Sequence, residues 1–413
     1  MKVLHVSTSL MPQSAAYRIH RALLKQGIDS FNYVLVNGAD NVRDERIVSC
    51  SSKAKKMLDK ICSTVSNRII NFLRNECKTP FSIAYTSSLD KKLIDNISPD
   101  IINLHWICGN FVSIEDMEFL SKYKIVWTLH DSWAFTGGCH IPYQCDKYVK
   151  GCKKCEQFLP WYGYDIVNNF FCAKKKLYKS NITIVTPSKW LSKCASQSAI
   201  FSNNTIYNIP NPIFTKEYKP ICKESARYIL NLDANKKYIL FGAVNSTSDK
   251  NKGFVYVQEA LKKLYTEKFS IDEIELLIFG GNKPIHNIDF GYKATYMGYI
   301  HDDITLNILY SAADVMLVPS KSENFPNTIL EAMSSGTPCV AFGVGGIPDI
   351  IDHKDNGYLA KPFDVNDLTD GIKFVLQSIS VGSYMSDSAR RKIEKFYSDE
   401  IIAKKYIKLY DSL

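Results

Sequence analysis

Along the first half of the chain, short apolar runs rich in β-branched residues alternate with longer stretches whose apolar positions recur every three or four residues. Residues 3–6, 32–36, 101–104, 125–129 and 182–186 are the compact runs, each of strand length. Residues 15–26 and 114–123 carry the helical period between them. The run Ile209-Pro210-Asn211-Pro212 interrupts the alternation. Two prolines in four positions forbid a helix and break a strand ladder, so a rigid linker is expected there. A second series follows at 238–241, 275–279, 294–297, 315–318 and 339–342, again with helical patterns between, and helical segments fill 386–413. This double alternation predicts an α/β fold of two doubly wound parallel sheets, with ligands in a cleft at the carboxyl ends of the strands. The expected units are 1–212 and 213–395, with a closing helix over 396–413 that packs back toward the first.

Length agrees with two units: 413 residues suit two domains of roughly 200 each. The composition, 46% hydrophobic and 23% charged, is that of a water-soluble globular chain. The first apolar run is too short for a secretory signal and no apolar stretch approaches a membrane span, so a cytoplasmic location is expected. The net charge of +9 points to an anionic partner without choosing its kind. Part of it lies in residues 53–78, where Met57, Ile61, Val65, Ile69 and Leu73 recur every fourth position among seven Lys and Arg. That pattern reads as an amphipathic helix with a basic face. It serves either as a surface helix docked on the core or as a peripheral contact with anionic lipid on the inner face of the membrane.

Residues 319–336 carry the most chemistry. A strand ending at Val318 feeds the loop Pro319-Ser320-Lys321-Ser322-Glu323-Asn324-Phe325-Pro326, then a short helix that stops at Gly336. Asn327 or Thr328 suits the N-cap and Gly336 the C-terminal stop. Backbone N–H groups and the positive end of the helix dipole then converge where a phosphate would sit. Glu331 lies about one turn inside this helix and Glu323 in the loop ahead of it. Carboxylates beside an anion site make sense as acceptors for sugar hydroxyls, because charge-assisted hydrogen bonds are strong in a dry cleft.

Glu323 and Glu331, with seven residues between them, resemble the E-x7-E signature of retaining GT-B glycosyltransferases of family 4. Asp314-Val315-Met316-Leu317-Val318 before them, and Gly336-Thr337-Pro338, Gly345-Gly346-Ile347-Pro348-Asp349 and Asn356-Gly357-Tyr358-Leu359 after them, are similar to that family in the same order. The resemblance implies the GT-B fold, two Rossmann-like domains with the acceptor side in the first and the nucleotide sugar in the second. It implies that Glu331 holds the ribose hydroxyls of the donor and that Glu323 holds the transferred sugar. Backbone N–H groups from Phe325 through Thr328, with Pro326 and Asn327 between, would cradle the diphosphate, and Lys252 would neutralise it. The arginine usual a few residues before that lysine is absent. Asn245, Ser246 and Thr247 stand there, and Lys250 could substitute only as a point charge.

The first half is similar to a subgroup that builds colanic acid, capsule or O-antigen polysaccharides, through Leu104-His105-Trp106 and the run from Thr128 to His140. That resemblance implies that His130 bonds the donor sugar, and puts His105 and Arg18 on the acceptor side. The loop after the first strand, Met11-Pro12-Gln13-Ser14-Ala15, lacks the glycines of most relatives. The implied reaction moves a sugar with retention from a UDP- or GDP-sugar to a lipid-linked oligosaccharide, by same-face attack assisted by the leaving phosphate. No cofactor is required for that chemistry, and nothing in the pattern points to nucleic acid. An epimerase or phosphorylase of the same fold, or a non-catalytic binding protein, are the alternatives, and no segment supports them.

Twelve cysteines remain to be placed. Eight are scattered and read as small buried hydrophobes. Cys139, Cys145, Cys152 and Cys155 fall in one lysine-rich loop and end in C-x-x-C. Either they form a structural zinc clamp, with His130 or His140 able to replace one thiolate, or they are unmetallated thiols.

Overall fold

A computed structural model describes residues 1–37, 44–49, 64–65, 68–75, 79–160, 162–178, 181–242, 248–270, 272–281 and 288–413. It contains the two parallel α/β sheets that the alternation predicts. In the first, β1 (Lys2–Leu10), β2 (Asp29–Asn37), β3 (Ile47–Ser49), β4 (Ile101–Leu104), β5 (Lys124–Thr128), β6 (Thr183–Thr186) and β7 (Ile206–Asn208) lie in the order β3-β2-β1-β4-β5-β6-β7. In the second, β8 (Lys237–Gly242), β9 (Ile274–Phe279), β10 (Lys293–Gly298), β11 (Val315–Val318), β12 (Cys339–Phe342) and β13 (Gly357–Ala360) lie in the order β10-β9-β8-β11-β12-β13. Every ladder is parallel. Strand order therefore reverses beside β1 and β4 in one sheet and beside β8 and β11 in the other. Such switch points open a crevice at the carboxyl ends of the central strands.

Central strands are mostly apolar because helices cover both of their faces. β4, β9, β11 and β12 are buried along their whole length. In the first core Trp127 of β5 packs edge-on against Tyr178 and Phe201, and its indole Nε1 donates to the His105 carbonyl at 3.1 Å. Replacing so large a buried ring by alanine costs about 3–5 kcal/mol. Through that one bond the core also fixes where β4 ends.

The chain divides at 210/211, inside the Ile-Pro-Asn-Pro run, into a unit of Met1–Pro210 with Ile402–Leu413 and a unit of Asn211–Ile401. The helix Tyr384–Tyr397 stays with the second unit. The helix Asp399–Asp411 begins there and passes to the first unit at Ile402, later than the boundary of 396 expected from sequence. Inside the first unit Tyr406 and Tyr410 are buried, with their hydroxyls on Thr128 Oγ1 at 3.2 Å and on Asn103 Nδ2 at 2.8 Å.

Most of the amphipathic segment 53–78, with Met57 and Ile61, lies outside the described residues. Within the part described, Val65 and Ile69 of the expected stripe are exposed, while Ile70 is buried against Phe158 and Val167. Leu73 of the stripe packs partly buried on the same cluster, so the docked face is only partly the predicted one. Among the described residues no helix is long and apolar enough to cross a membrane. The single cysteines also divide: Cys108 and Cys339 are buried as expected, but Cys172 and Cys222 are exposed.

Candidate functional site

In the second unit the loops after β8 and β11 meet at the switch point. The turn Lys250–Lys252 is capped by Asp249, whose carboxylate accepts from the Asn251 N–H at 2.8 Å. Asn251 is buried, and its Nδ2 donates to the Ser322 carbonyl at 2.9 Å while the Lys321 N–H donates to its own carbonyl at 2.8 Å. Gly253 closes the turn at φ +73°, where a Cβ would stand 1.9 Å from the Pro319 carbonyl oxygen. This locking delivers Lys252 Nζ to Glu323 Oε1 at 2.7 Å. The Glu323 charge and hydrogen bond raise the pKa of the ammonium against the opposing effect of burial, so it stays charged. From the other side the loop after β12 grips the backbone of Glu323. The Gly346 N–H donates to its carbonyl at 3.0 Å, and Gly345, at φ +56°, leaves no room for a Cβ there.

The helix Asn327–Ser334 starts immediately beyond. Its N-cap is Pro326, in place of the Asn327 or Thr328 expected, and it makes no side-chain capping hydrogen bond. An N-terminus without a side-chain cap keeps its dipole end available to an anion. Pro326 has no N–H, however, so it drops out of the expected diphosphate cradle, leaving Phe325, Asn327 and Thr328 as backbone donors. The Phe325 ring is buried edge-on against Tyr397, which anchors the loop in the core. Inside the helix Glu331 is 4% exposed and accepts from the Tyr310 hydroxyl at 2.8 Å. Lys250 does not join this group. It is exposed and lines a separate recess with Lys321 and Gln258. The positions 245–247, where the usual arginine is replaced, lie outside the described residues.

In the first unit three imidazoles stack in a column, His5 from the middle of β1 and His105 and His130 from just beyond β4 and β5. His5 Nδ1 is 2.8 Å from His105 Nε2, and His105 Nδ1 is 2.9 Å from His130 Nε2. Ring centroids are 5.1 and 5.2 Å apart. Burial lowers all three pKa values, that of His130 to about 4, so the column is neutral near pH 7. Both nitrogens of His105, the residue expected on the acceptor side, are engaged by imidazoles, one of them that of His130. Next to His130, Asp131 Oδ2 meets His140 Nδ1 at 2.6 Å and accepts from Trp106 Nε1 at 3.1 Å, and its Oδ1 accepts from the Trp133 N–H at 2.8 Å. Burial alone would raise the pKa of Asp131, but His140, the Trp133 N–H and His130 outweigh it and hold the carboxyl ionised. Arg18, expected to help bind an acceptor phosphate, is 2% exposed on the helix Ala15–Lys25.

Several of these groups went unread in the sequence. His5 sits mid-strand in an apolar run. Asn251 and Tyr310 are ordinary residues of a turn and a helix. Lys174 is buried in the helix Tyr162–Leu177, where its Nζ donates to the carbonyls of Trp133 at 2.5 Å and Thr136 at 3.1 Å and lies 3.5 Å from the Trp133 ring centre. Burial lowers its pKa to about 7. It clamps the loop that carries Asp131 and His140. The four clustered cysteines are free thiols lining one small cavity.

Residues 236–378 match the family model described as glycosyl transferases group 1. An uncharacterised glycosyltransferase of Methanocaldococcus jannaschii is 35% identical over 119 residues, 29% of this chain and 30% of the relative. A protein of Escherichia coli K12 named as a colanic acid biosynthesis glycosyl transferase, WcaC, is 22% identical over 351 residues, 79% of this chain and 80% of the relative. The solved structure of Anabaena HepE in complex with UDP-glucose superposes with a TM-score of 0.65 at 15% identity, covering 100% of both chains. Curated relatives at 31–36% identity share only 24–42% of their own length with this chain. The fold is GT-B.

Proposed function

We propose that this chain is a retaining glycosyltransferase that moves a sugar from a nucleoside-diphosphate sugar to a lipid-linked saccharide in the building of a bacterial surface polysaccharide. The observation that carries the reading is the convergence at the β8/β11 switch point. A charged lysine, two carboxylates and a helix N-terminus without a side-chain cap meet there, inside the stretch that matches the group 1 model. Glu331 accepts the ribose hydroxyls, and Glu323 accepts hydroxyls of the transferred sugar.

Breaking the anomeric bond builds negative charge on the departing diphosphate. Lys252 and the N–H groups of Phe325, Asn327 and Thr328 stabilise that charge, and a fixed donor of this kind typically contributes 10²–10³ in rate. With Lys252 shared between Glu323 and the diphosphate, sugar and leaving group are held on either side of the bond that breaks. The acceptor hydroxyl attacks the face the diphosphate leaves, and the leaving phosphate takes its proton. The family resemblance assigns His130 a hydrogen bond to the donor sugar. The likeness to WcaC supports the polysaccharide assignment, and that to HepE makes UDP-sugars the first donors to try.

A thermal-shift panel of nucleotide sugars tests the donor, because a ligand selective for the folded state raises its melting temperature. One donor is expected to raise it, and Glu331→Ala to weaken that donor about 10–100-fold, the loss of one or two hydrogen bonds to a charged group. Lys252→Ala should lower turnover about 100-fold or more. Proton NMR of the product is expected to show the anomeric configuration of the donor. No shift with any donor would defeat the reading, and an inverted product would defeat its retaining mechanism. Turnover without an acceptor would favour an epimerase or phosphorylase instead.

A further inference from the structure

The four cysteines of the lysine-rich loop have no part in the sugar chemistry, yet the fold assembles them. Cys139, Cys145, Cys152 and Cys155 line a single cavity of about 30 Å³. That is room for about one water-sized particle or one metal ion. The chain reverses within the C-x-x-C pair through Lys154 at φ +49°, and before Cys145 through Tyr143 at φ +47°.

Three of the sulfurs receive backbone N–H groups. Gly137 donates to Cys152 Sγ at 3.2 Å, Ile141 to Cys139, and Gln157 to Cys155. The last two are the same local device, an amide two residues beyond a cysteine turned onto its sulfur. Cys139 Sγ also lies 3.3 Å from the Gln157 side-chain Nε2 and 3.3 Å from Thr79 Oγ1. Donors aimed at sulfur favour thiolates over thiols.

Charge agrees. Arg74 is close enough to Cys139 and Cys155, Lys147 to Cys145 and Cys155, and Lys174 to Cys152 and Cys139 for each pair to interact electrostatically. Lys147 is also paired with Glu156 at 2.8 Å, and four thiolates around a dication would carry a net charge of about −2 in this basic surround. A coordinated divalent ion takes the sulfurs as thiolates, because ligating thiols lose their protons outright.

We propose that Cys139, Cys145, Cys152 and Cys155 form a closed tetrathiolate site for one zinc ion. Among the described residues no three such side chains are already gathered around a common point. The site therefore completes on binding, as the thiols draw together around the ion, with Cys145 the exposed member. Four protons leave as four Zn–S bonds form, and no oxidant or reductant is involved. The ion acts on structure. It fixes the loop between Gly137 and Gln157, and with it His140, which follows Cys139 directly and holds Asp131.

Elemental analysis of protein prepared without chelator is expected to find about one zinc per chain. An organomercurial should release it and expose four reactive thiols together. Stripped protein titrated with cobalt(II) should develop the intense sulfur-to-metal charge-transfer and visible bands of a tetrahedral thiolate site. Cys152→Ser and Cys155→Ser should each lower zinc affinity at least tenfold, whereas Cys222→Ser, outside the cavity, should leave it unchanged. If the inner variants fail to fold, Cys145→Ser on the rim gives the same comparison, and the cobalt titration of the unaltered chain stands without any variant. Zinc-free protein whose cobalt spectrum stays that of the hydrated ion would overturn the proposal. So would iron in place of zinc, or a disulfide between any two of the four.

Discussion

Three neutral imidazoles in a row can pass their hydrogen bonds in either direction, and one atom decides which. His5 Nε2 is buried and meets no partner among the described residues. A buried N–H without an acceptor is rarer and costlier than an unused acceptor. His5 therefore carries its proton on Nδ1 and donates to His105 Nε2. His105 then donates from Nδ1 to His130 Nε2, and His130 keeps its proton on Nδ1. Long-range proton–nitrogen NMR is expected to show His130 Nδ1 as the protonated nitrogen, and a proton on Nε2 would refute the direction. His105→Phe should then lower turnover about tenfold or more through lost orientation of His130, with substrate affinity nearly unchanged. None of this was legible in the sequence. Residues 5, 105 and 130 are far apart, and only the pairing of β1 with β4 and of β4 with β5 stacks them. Glu323, Glu331 and Lys252 were legible because loop chemistry and family likeness both act locally.

At the scale of elements, two glycine-supported loops decide where Glu323 stands. Gly345→Ala would force a Cβ to within 1.9 Å of the Glu323 carbonyl oxygen at a left-handed backbone. Strain of this kind costs of order 1–3 kcal/mol. The variant is expected to melt several degrees lower and to bind donor about tenfold more weakly. Gly382→Ala, where nothing lies within 4 Å of the new methyl group, should do neither. Equal effects in calorimetry and donor titration would remove the claim that the Gly345 loop sets the site. The strands that escaped sequence reading, β3, β7 and β13, all lie at sheet edges. β3 and β7 have three residues each and are only partly covered, so they lack the dense apolar run that marks a central strand. The apolar stripe of 53–78 misled for a related reason. A four-residue period names a face within a helix but not which neighbour the fold presents to it, and Ile70 beside the stripe docks most deeply, with Leu73 of the stripe next to it.

For the whole molecule, the alternation of strands and helices told the fold class and the Ile-Pro-Asn-Pro run told the crossing. The point of return, Ile402, was not legible, since the helical period runs through it without a break. Residues 402–413 are integral to the first unit: Tyr406 and Tyr410 are buried there and engage Thr128 and Asn103 on neighbouring strands. A chain ending at Ile401 should therefore melt with its first unit weakened and its second little changed, seen by calorimetry as one displaced transition. Tyr410→Phe should lower the same transition by about 1 kcal/mol, the net value of one hydrogen bond. Displacement of both transitions together would show that the units do not unfold separately.

That return of the chain governs the order in which the molecule can be made. On the ribosome the first sheet emerges early, yet the two tyrosines that seal it are translated only after the entire second unit. Domains generally fold as they emerge, amino-terminal first. Here the amino-terminal one must wait, with part of its apolar interior open to chaperones, until the last turns of helix arrive. A stalled or truncated message would thus yield a damaged first half although every codon of that half had been read.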